Sequence, residues 1–367
     1  MNPTTLDLTV SADPRSTDAS FERVAERSRL LEQDILSHPE RHRVLTGDRP
    51  TGDLHLGHYI GTLANRVRLQ NLGVPTTIVV ADFQVITDRD AVGPLRERVR
   101  GLVADYLAAG IDPARSVIFP HSAVPALNQL ILPFLSLVTA AELNRNPTVK
   151  AEAALSNRSL SGLLLTYPVH QAADILCCAG TLVPVGRDQL PHVELTRLIA
   201  RRFNDRYGTV FQEPDALLTS APVVLGTDGT KMSKSRENTV RLAADEDETA
   251  AVLRIARTDG ERRITYEPDR RPEVANLLLI AATLSGREPE GIADEIGDGG
   301  AAVLKRVVTE TVNESLRPLR ARRAELMRDI GYLDGVLVDG IATMTAVAGE
   351  TLDRVRDAMG MRYLTAR

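Results

Sequence analysis

The chain has 367 residues, 43% hydrophobic and 25% charged, which excludes a wholly disordered or fibrous protein and gives a length suited to two domains. Forty-four cationic residues against 49 acidic ones leave a net charge of −5, which argues against a generic nucleic-acid coat and confines any nucleic-acid contact to local patches. The longest apolar stretches, around 127–143 and 276–284, are interrupted or too short to cross a bilayer, and the first twenty residues lack a basic n-region and an apolar h-region. No membrane association and a cytoplasmic address are therefore expected.

Residues 1–40 read as a partly disordered extension, because Phe21, Val24, Leu30, Leu31 and Ile35 fit a helical stripe only loosely. From Arg43 short β-like runs alternate with helical ones: a strand at 43–47, a helix at 57–70, a strand at 76–82, a helix at 94–109, a strand at 116–120 and a helix at 125–143. A further helix opens at Pro168, followed by a strand at 181–185, a helix at 188–207 and a last strand at 221–225. This alternation predicts an α/β fold, a parallel sheet with helices on both faces, over residues 41–240. After Asp245 the apolar positions fall at helical spacing only, so 241–367 is expected to be all-α. Cys177 and Cys178 are adjacent, a poor arrangement for a staple or a metal site.

The densest signal is TGDRPTGDLHLGHYIG at 46–61. Gly47, Gly52, Gly57 and Gly61 surround a proline turn after the first strand, where backbone can approach a ligand and the next helix start attracts phosphate. His55 and His58 share one face of that helix start and read as phosphate ligands. A surface pair without a role and half of a metal site are the competing readings. Against the latter, no remaining zinc ligands stand at a recognisable spacing, so no metal site is assigned.

The second signal is GTDGTKMSKSRENT at 226–239. It is superficially similar to a P-loop but does not meet the spacing, and it ends the sheet region instead of opening it. Only four of the 44 cations are lysine, and two of them, Lys231 and Lys234, stand here three residues apart. Their mobile ammonium groups suit a polyphosphate approached from the side opposite the histidines; a solvated basic loop is the bland alternative.

HLGH followed far downstream by KMSKS resembles the paired signatures of class I aminoacyl-tRNA synthetases. The segments GLLLTYPVHQAADIL (162–176), LVPVGRDQLPHVELTRLIARRFNDRYG (182–208) and NLLLIAATLSG (276–286) resemble tryptophanyl-tRNA synthetases, from about Val44 onward. The resemblance implies a Rossmann-like catalytic domain, a C-terminal helical domain (241–367) that reads the tRNA anticodon, ATP with Mg²⁺, L-tryptophan and tRNA(Trp) as reactants, and a homodimer with its interface near the second half of the sheet domain. It implies that His55, His58, Lys231 and Lys234 carry the phosphate chemistry, with Arg49, Gly57, Gly186, Asp188, Met232 and Ser233 also around ATP. Around tryptophan it implies Gly47, Gln84, Tyr167, Gln171, Val183, Val185 and Gln189, with Asp174 accepting the indole N–H. An acceptor left unpaired by the wrong substrate is an effective discriminator.

Several positions depart from the commonest bacterial form. Arg49 replaces glutamine, His58 replaces asparagine, Gln84 stands where histidine is frequent and Gln171 where methionine often lines the indole pocket. With GDRPTG and NRNPTVKAE (144–152) these changes resemble a second, divergent branch of tryptophanyl enzymes. In that branch Lys150 would take an ATP-contacting role whose usual position holds Glu152. Arg317, Arg320, Arg322 and Arg323 are candidates for tRNA phosphate contacts, or else a solvated helix face. The alternatives are a tyrosyl-tRNA synthetase and a catalytically silent paralogue with a regulatory role.

Overall fold

The computed structural model describes residues 14–87, 93–150, 160–218, 223–233, 236 and 238–363. Its centre is a five-stranded, all-parallel sheet, β1 Val44–Asp48, β2 Thr76–Val80, β3 Ser116–Pro120, β4 Leu182–Val185 and β5 Asp215–Leu218, in the order β3-β2-β1-β4-β5. Alternating side chains sort to two cores, as a sheet buried on both faces requires. Ile78, Val80 and Ile118 enter one, and Val79, Phe119, Val183 and Val185 the other.

The strand at 221–225 is not where the sheet ends. Residues 221–222 lie outside the described residues, Leu225 makes only an isolated bridge to Lys231, and β5 is the earlier Asp215–Leu218. That strand is short and has one buried position among its four, so its pairing with β4 defines it, not its own pattern.

Residues 14–37 form one helix, α1, where the sequence suggests a partly disordered extension. The stripe looks loose because Leu30 and Leu36 face solvent, while Leu31 and Ile35 are buried beside Val44, Leu182 and Leu217. Arg27 pairs with Asp215, the Ser28 hydroxyl accepts from the Leu218 N–H, and Phe21 packs under the Arg187 guanidinium at 4.4 Å. Residues 1–13 lie outside the described residues.

Helix α2 runs unbroken through Leu56–His58, a π segment Tyr59–Leu63 and Ala64–Asn71. Then come α3 Leu95–Ala108, α4 Pro125–Leu135, α5 Ala140–Arg145, α6 Gly162–Cys177 and α7 Leu190–Tyr207. The helix expected at 125–143 is therefore two, because Thr139 caps a new start by accepting from the Glu142 N–H. Likewise α6 begins before Pro168, at a Ser161 cap that accepts from the Leu164 N–H.

The remaining described α-helices are α8 Glu246–Arg254, α9 Pro272–Ser285, α10 Pro289–Ile296, α11 Gly300–Leu326 and α12 Ile330–Ala358. These helices share core with the sheet, since Leu277, Leu304 and Val312 join the cluster of Ile78 and Leu102. Helix α12 is the one described helix long and apolar enough to cross a membrane by length and composition, although polar residues such as Asp334 and Asp339 interrupt its apolar run. It lies along β3, contributing Leu333 and Val336 to one core and Met344, Ala348 and Leu352 to the other. Gly340 permits the approach, because a β-carbon there would stand 1.9 Å from the Ile118 carbonyl oxygen.

Candidate active site

A cavity of about 520 Å³ opens at the C-terminal ends of β1 and β4, where the chain order of the strands reverses to either side of β1. Open parallel sheets bind ligands at this switch point.

On the β1 side, Gly47 is dictated by packing as well as by the cavity. A β-carbon there would sit 2.2 Å from the Val79 carbonyl oxygen. Asp48 receives the buried Arg66 guanidinium and the Tyr106 hydroxyl, the latter at 2.7 Å. Burial alone would push the Asp48 carboxyl up, but Arg66 outweighs it and holds the carboxyl well below the usual carboxylate range. This ion pair, which the sequence reading passes over, anchors the strand end to α2.

Helix α2 opens on the first signature. The His55 backbone N–H donates to His58 Nδ1 at 3.3 Å, and the two rings lie 3.7 Å apart. With Nδ1 accepting, His58 carries its proton on Nε2, where it can donate to a phosphate oxygen. Gly57 and His58 from the helix start and Gly61 and Thr62 from the π segment that follows all line the cavity, in keeping with the frequency of π-bulges at functional sites.

The second signature is joined to the first by backbone pairing. The Leu56 N–H donates to the Val240 carbonyl at 2.8 Å and the Leu242 N–H to the Leu54 carbonyl at 2.9 Å. Buried Met232 consequently packs on the helix start, its sulfur 3.5 Å from where a β-carbon of Gly57 would stand. Lys231 reaches across the cavity mouth to within 3.8 Å of Asp188 Oδ2. Ser233 does not line the cavity, and its N–H donates to Asn238. Lys234 lies outside the described residues.

Asn238 organises this loop and was not singled out in the sequence. It is 2% exposed; its Oδ1 accepts from the Ser233 N–H at 2.8 Å, and its Nδ2 faces Asp228, Thr230 and the Lys231 carbonyl. Gly226 makes room for it, since a β-carbon would stand 2.3 Å from the Asn238 amide.

Arg49, Gly186, Asp188 and Gln189 line the mouth, and Gln84, Tyr167, Gln171, Asp174, Val183 and Val185 the interior. All but Arg49 and Gln84 come from α6, β4 and the turn that follows. Tyr167 meets His192 at 2.8 Å, and burial pushes the His192 imidazole down to about 4, so it is neutral near pH 7. Asp174 is buried, with Gln84 Nε2 3.4 Å from its Oδ2 and His121 Nδ1 2.6 Å from its Oδ1. His121 does not line the cavity and carries no motif, so only its position after β3 reveals it.

The other candidates lie elsewhere. Lys150 is exposed and away from the cavity lining, and Glu152 lies outside the described residues. Arg323 is held by buried Asp105 and Arg320 by Asn313 and Thr249, so both are structural rather than presented to solvent. Arg317 pairs with Glu246 and Arg322 with Glu325 at the surface. Among the described residues no group of three His, Cys, Asp or Glu side chains could hold a metal ion, and both cysteines are buried thiols pushed up by burial.

The model of the tRNA synthetases class I (W and Y) matches residues 38–317. The tryptophan–tRNA ligase of Treponema pallidum is 43% identical over 329 residues, covering 87% of this chain and 97% of its own, and that of Clostridium longisporum is 39% identical over 334 residues at the same coverage. Among solved structures, the tryptophanyl-tRNA synthetase of Campylobacter jejuni complexed with ADP and tryptophan superposes with a TM-score of 0.76 at 30% identity, covering 87% of this chain and 99% of that one. Matched across its sheet, both signatures and most of its helical part, the chain belongs to the class I tRNA synthetases of the tryptophan and tyrosine family.

Proposed function

We propose that this chain activates L-tryptophan with ATP and transfers it to tRNA(Trp). The observation that carries the reading is the convergence of the two signatures on one cavity, with Met232 packed on the HLGH helix start and Lys231 spanning to Asp188. In the first step a tryptophan carboxylate oxygen bonds to the α-phosphorus of ATP as the bond to the bridging oxygen breaks and pyrophosphate leaves. In the second, a ribose hydroxyl of the tRNA's terminal adenosine bonds to the aminoacyl carbon, AMP leaves with the former anhydride oxygen, and the hydroxyl proton passes to solvent or phosphate.

The protein's contribution is position and charge. His55 and His58 meet the phosphate chain from the helix start, where backbone N–H groups add to the field. Lys231 and Lys234 follow the charge that grows on the departing pyrophosphate, with Arg49, Gly57, Gly186, Asp188 and Met232 shaping the nucleotide side. Mg²⁺ arrives on the triphosphate, consistent with its habit of binding through substrate phosphates. Gly47, Gln84, Tyr167, Gln171, Val183, Val185 and Gln189 surround the amino acid, and Asp174 accepts the indole N–H.

Residues 41–240 form the catalytic domain, and the helices of 241–367 read the anticodon. The enzyme acts in the cytoplasm as a homodimer, with its interface near the second half of the sheet domain. ATP–pyrophosphate exchange with tryptophan and with tyrosine, followed by charging of tRNA(Trp), tests the reading. Exchange driven by tryptophan supports it; exchange driven by tyrosine, or none, overturns it.

A further inference from the structure

His121 stands in the turn that follows β3, with 0% of its surface exposed. Its Nδ1 is 2.6 Å from Asp174 Oδ1 and its Nε2 is 3.1 Å from Asn128 Oδ1, while the Phe83 ring packs on it edge to face. Asp174 lines the cavity and His121 does not. One carboxylate oxygen therefore faces the imidazole behind the wall as a close ion pair whose atoms are not aligned as a hydrogen bond, and the other, Oδ2, stands beside Gln84.

We propose that His121 is the positioning residue for tryptophan selection: it clamps Oδ1 of Asp174 from behind the pocket wall, so that Oδ2 is aimed at the indole N–H. The clamp also explains how a carboxylate is held buried in the pocket wall, since a buried charge needs a partner. Burial alone would push His121 down, but Asp174 and Asn128 together push it up to about 9, so the partner is a cation near neutral pH. Neighbouring His170, 6.5 Å away, is pushed the other way by burial and by His121, which leaves a single imidazolium behind the wall. A free carboxylate could turn either oxygen toward the ligand; a clamped one offers one direction, and direction separates an indole N–H from an isostere without it.

The inference rests on the assignment of Asp174 to the indole, and the experiment separates the two. Full-length wild type, His121→Leu, His121→Gln and Asp174→Asn are compared in pyrophosphate exchange with tryptophan and with its benzothiophene analogue, in which sulfur replaces the indole N–H. For His121→Leu the KM for tryptophan is expected to rise about 10- to 100-fold, with the KM for the analogue and for ATP within about threefold and kcat little changed. His121→Gln keeps a donor and recovers part of the loss, and it decides the matter if the leucine variant lacks a cooperative melt. An unchanged preference for tryptophan over the analogue in both His121 variants overturns the proposal. If Asp174→Asn also leaves that preference unchanged, the Asp174 assignment falls too; if it abolishes the preference while the His121 variants do not, only the clamp falls.

Discussion

Replacing Asn238 by alanine is the sharpest test of how the KMSKS loop is held. The side chain accepts one backbone N–H at 2.8 Å and directs two amide hydrogens at acceptors 2.8, 3.2 and 3.3 Å away. At about 1 kcal/mol net for each of roughly three bonds, truncation weakens the ordered loop by about 2–3 kcal/mol. If ATP binding must then restore the order, the apparent KM for ATP rises about 30- to 150-fold at 1.4 kcal/mol per tenfold. The affected bonds all lie within 228–238, so the KM for tryptophan is expected to stay within about twofold. Pyrophosphate exchange with each substrate varied in turn measures both.

Asn238→Asp sharpens the same argument. It keeps the acceptor for Ser233 but sets a second carboxylate where the amide donor held Asp228 below its ordinary range. Two close carboxylates disfavour double ionisation. The aspartate variant is expected to be worse than alanine at about pH 8 and to recover partly at about pH 6 as the pair shares a proton. An alanine variant whose KM for ATP stays within about twofold of wild type refutes the idea that Asn238 sets the loop.

Three further outcomes are expected. Gly47→Ala drives a β-carbon to 2.2 Å from the Val79 carbonyl, and the overpacking should cost about 1–3 kcal/mol in urea unfolding; an unchanged midpoint would mean that β1 and β2 can separate freely. Asp105→Ala strands the Arg323 guanidinium and removes the acceptor of the Leu54 N–H beside the first signature, at about 3–5 kcal/mol for a broken buried pair. Adding Arg323→Ala should recover part of that loss, and strict additivity of the two in a double-mutant cycle would deny the coupling. Because His121 is pushed up to about 9 when folded, from an ordinary value of 6.5, its contribution is complete below pH 6.5 and disappears as pH rises through 9. Urea unfolding between pH 7 and pH 10 should therefore lose on the order of 3 kcal/mol more in wild type than in His121→Gln, and parallel curves would count against the ion pair.

Much of this was written in the chain. Short apolar runs alternating with helical ones marked β1 to β4, because a parallel sheet buried on both faces takes near-continuous apolar strands, and helical spacing marked the all-helical C-terminal part, because that period is a local consequence of backbone geometry. The glycines at 47, 57 and 61 and Lys231, one of four lysines in an arginine-rich chain, marked opposite sides of the cavity, because glycine and lysine stand there against the local preference. Local pattern misplaced β5 and loosened α1, since a short strand with one buried position and a helix with leucines off its buried face acquire definition only from what they pack against.

Tertiary structure alone decided which polar residues support the site. His121, Arg66, Asn238 and Asp105 stand far along the chain from the groups they hold, or sit in loops without period. A hydrogen bond or ion pair across such a separation leaves no spacing to read. Its partners are chosen by where two cores bring the strand ends, α2 and the lysine loop together, and that juxtaposition exists only in the folded chain.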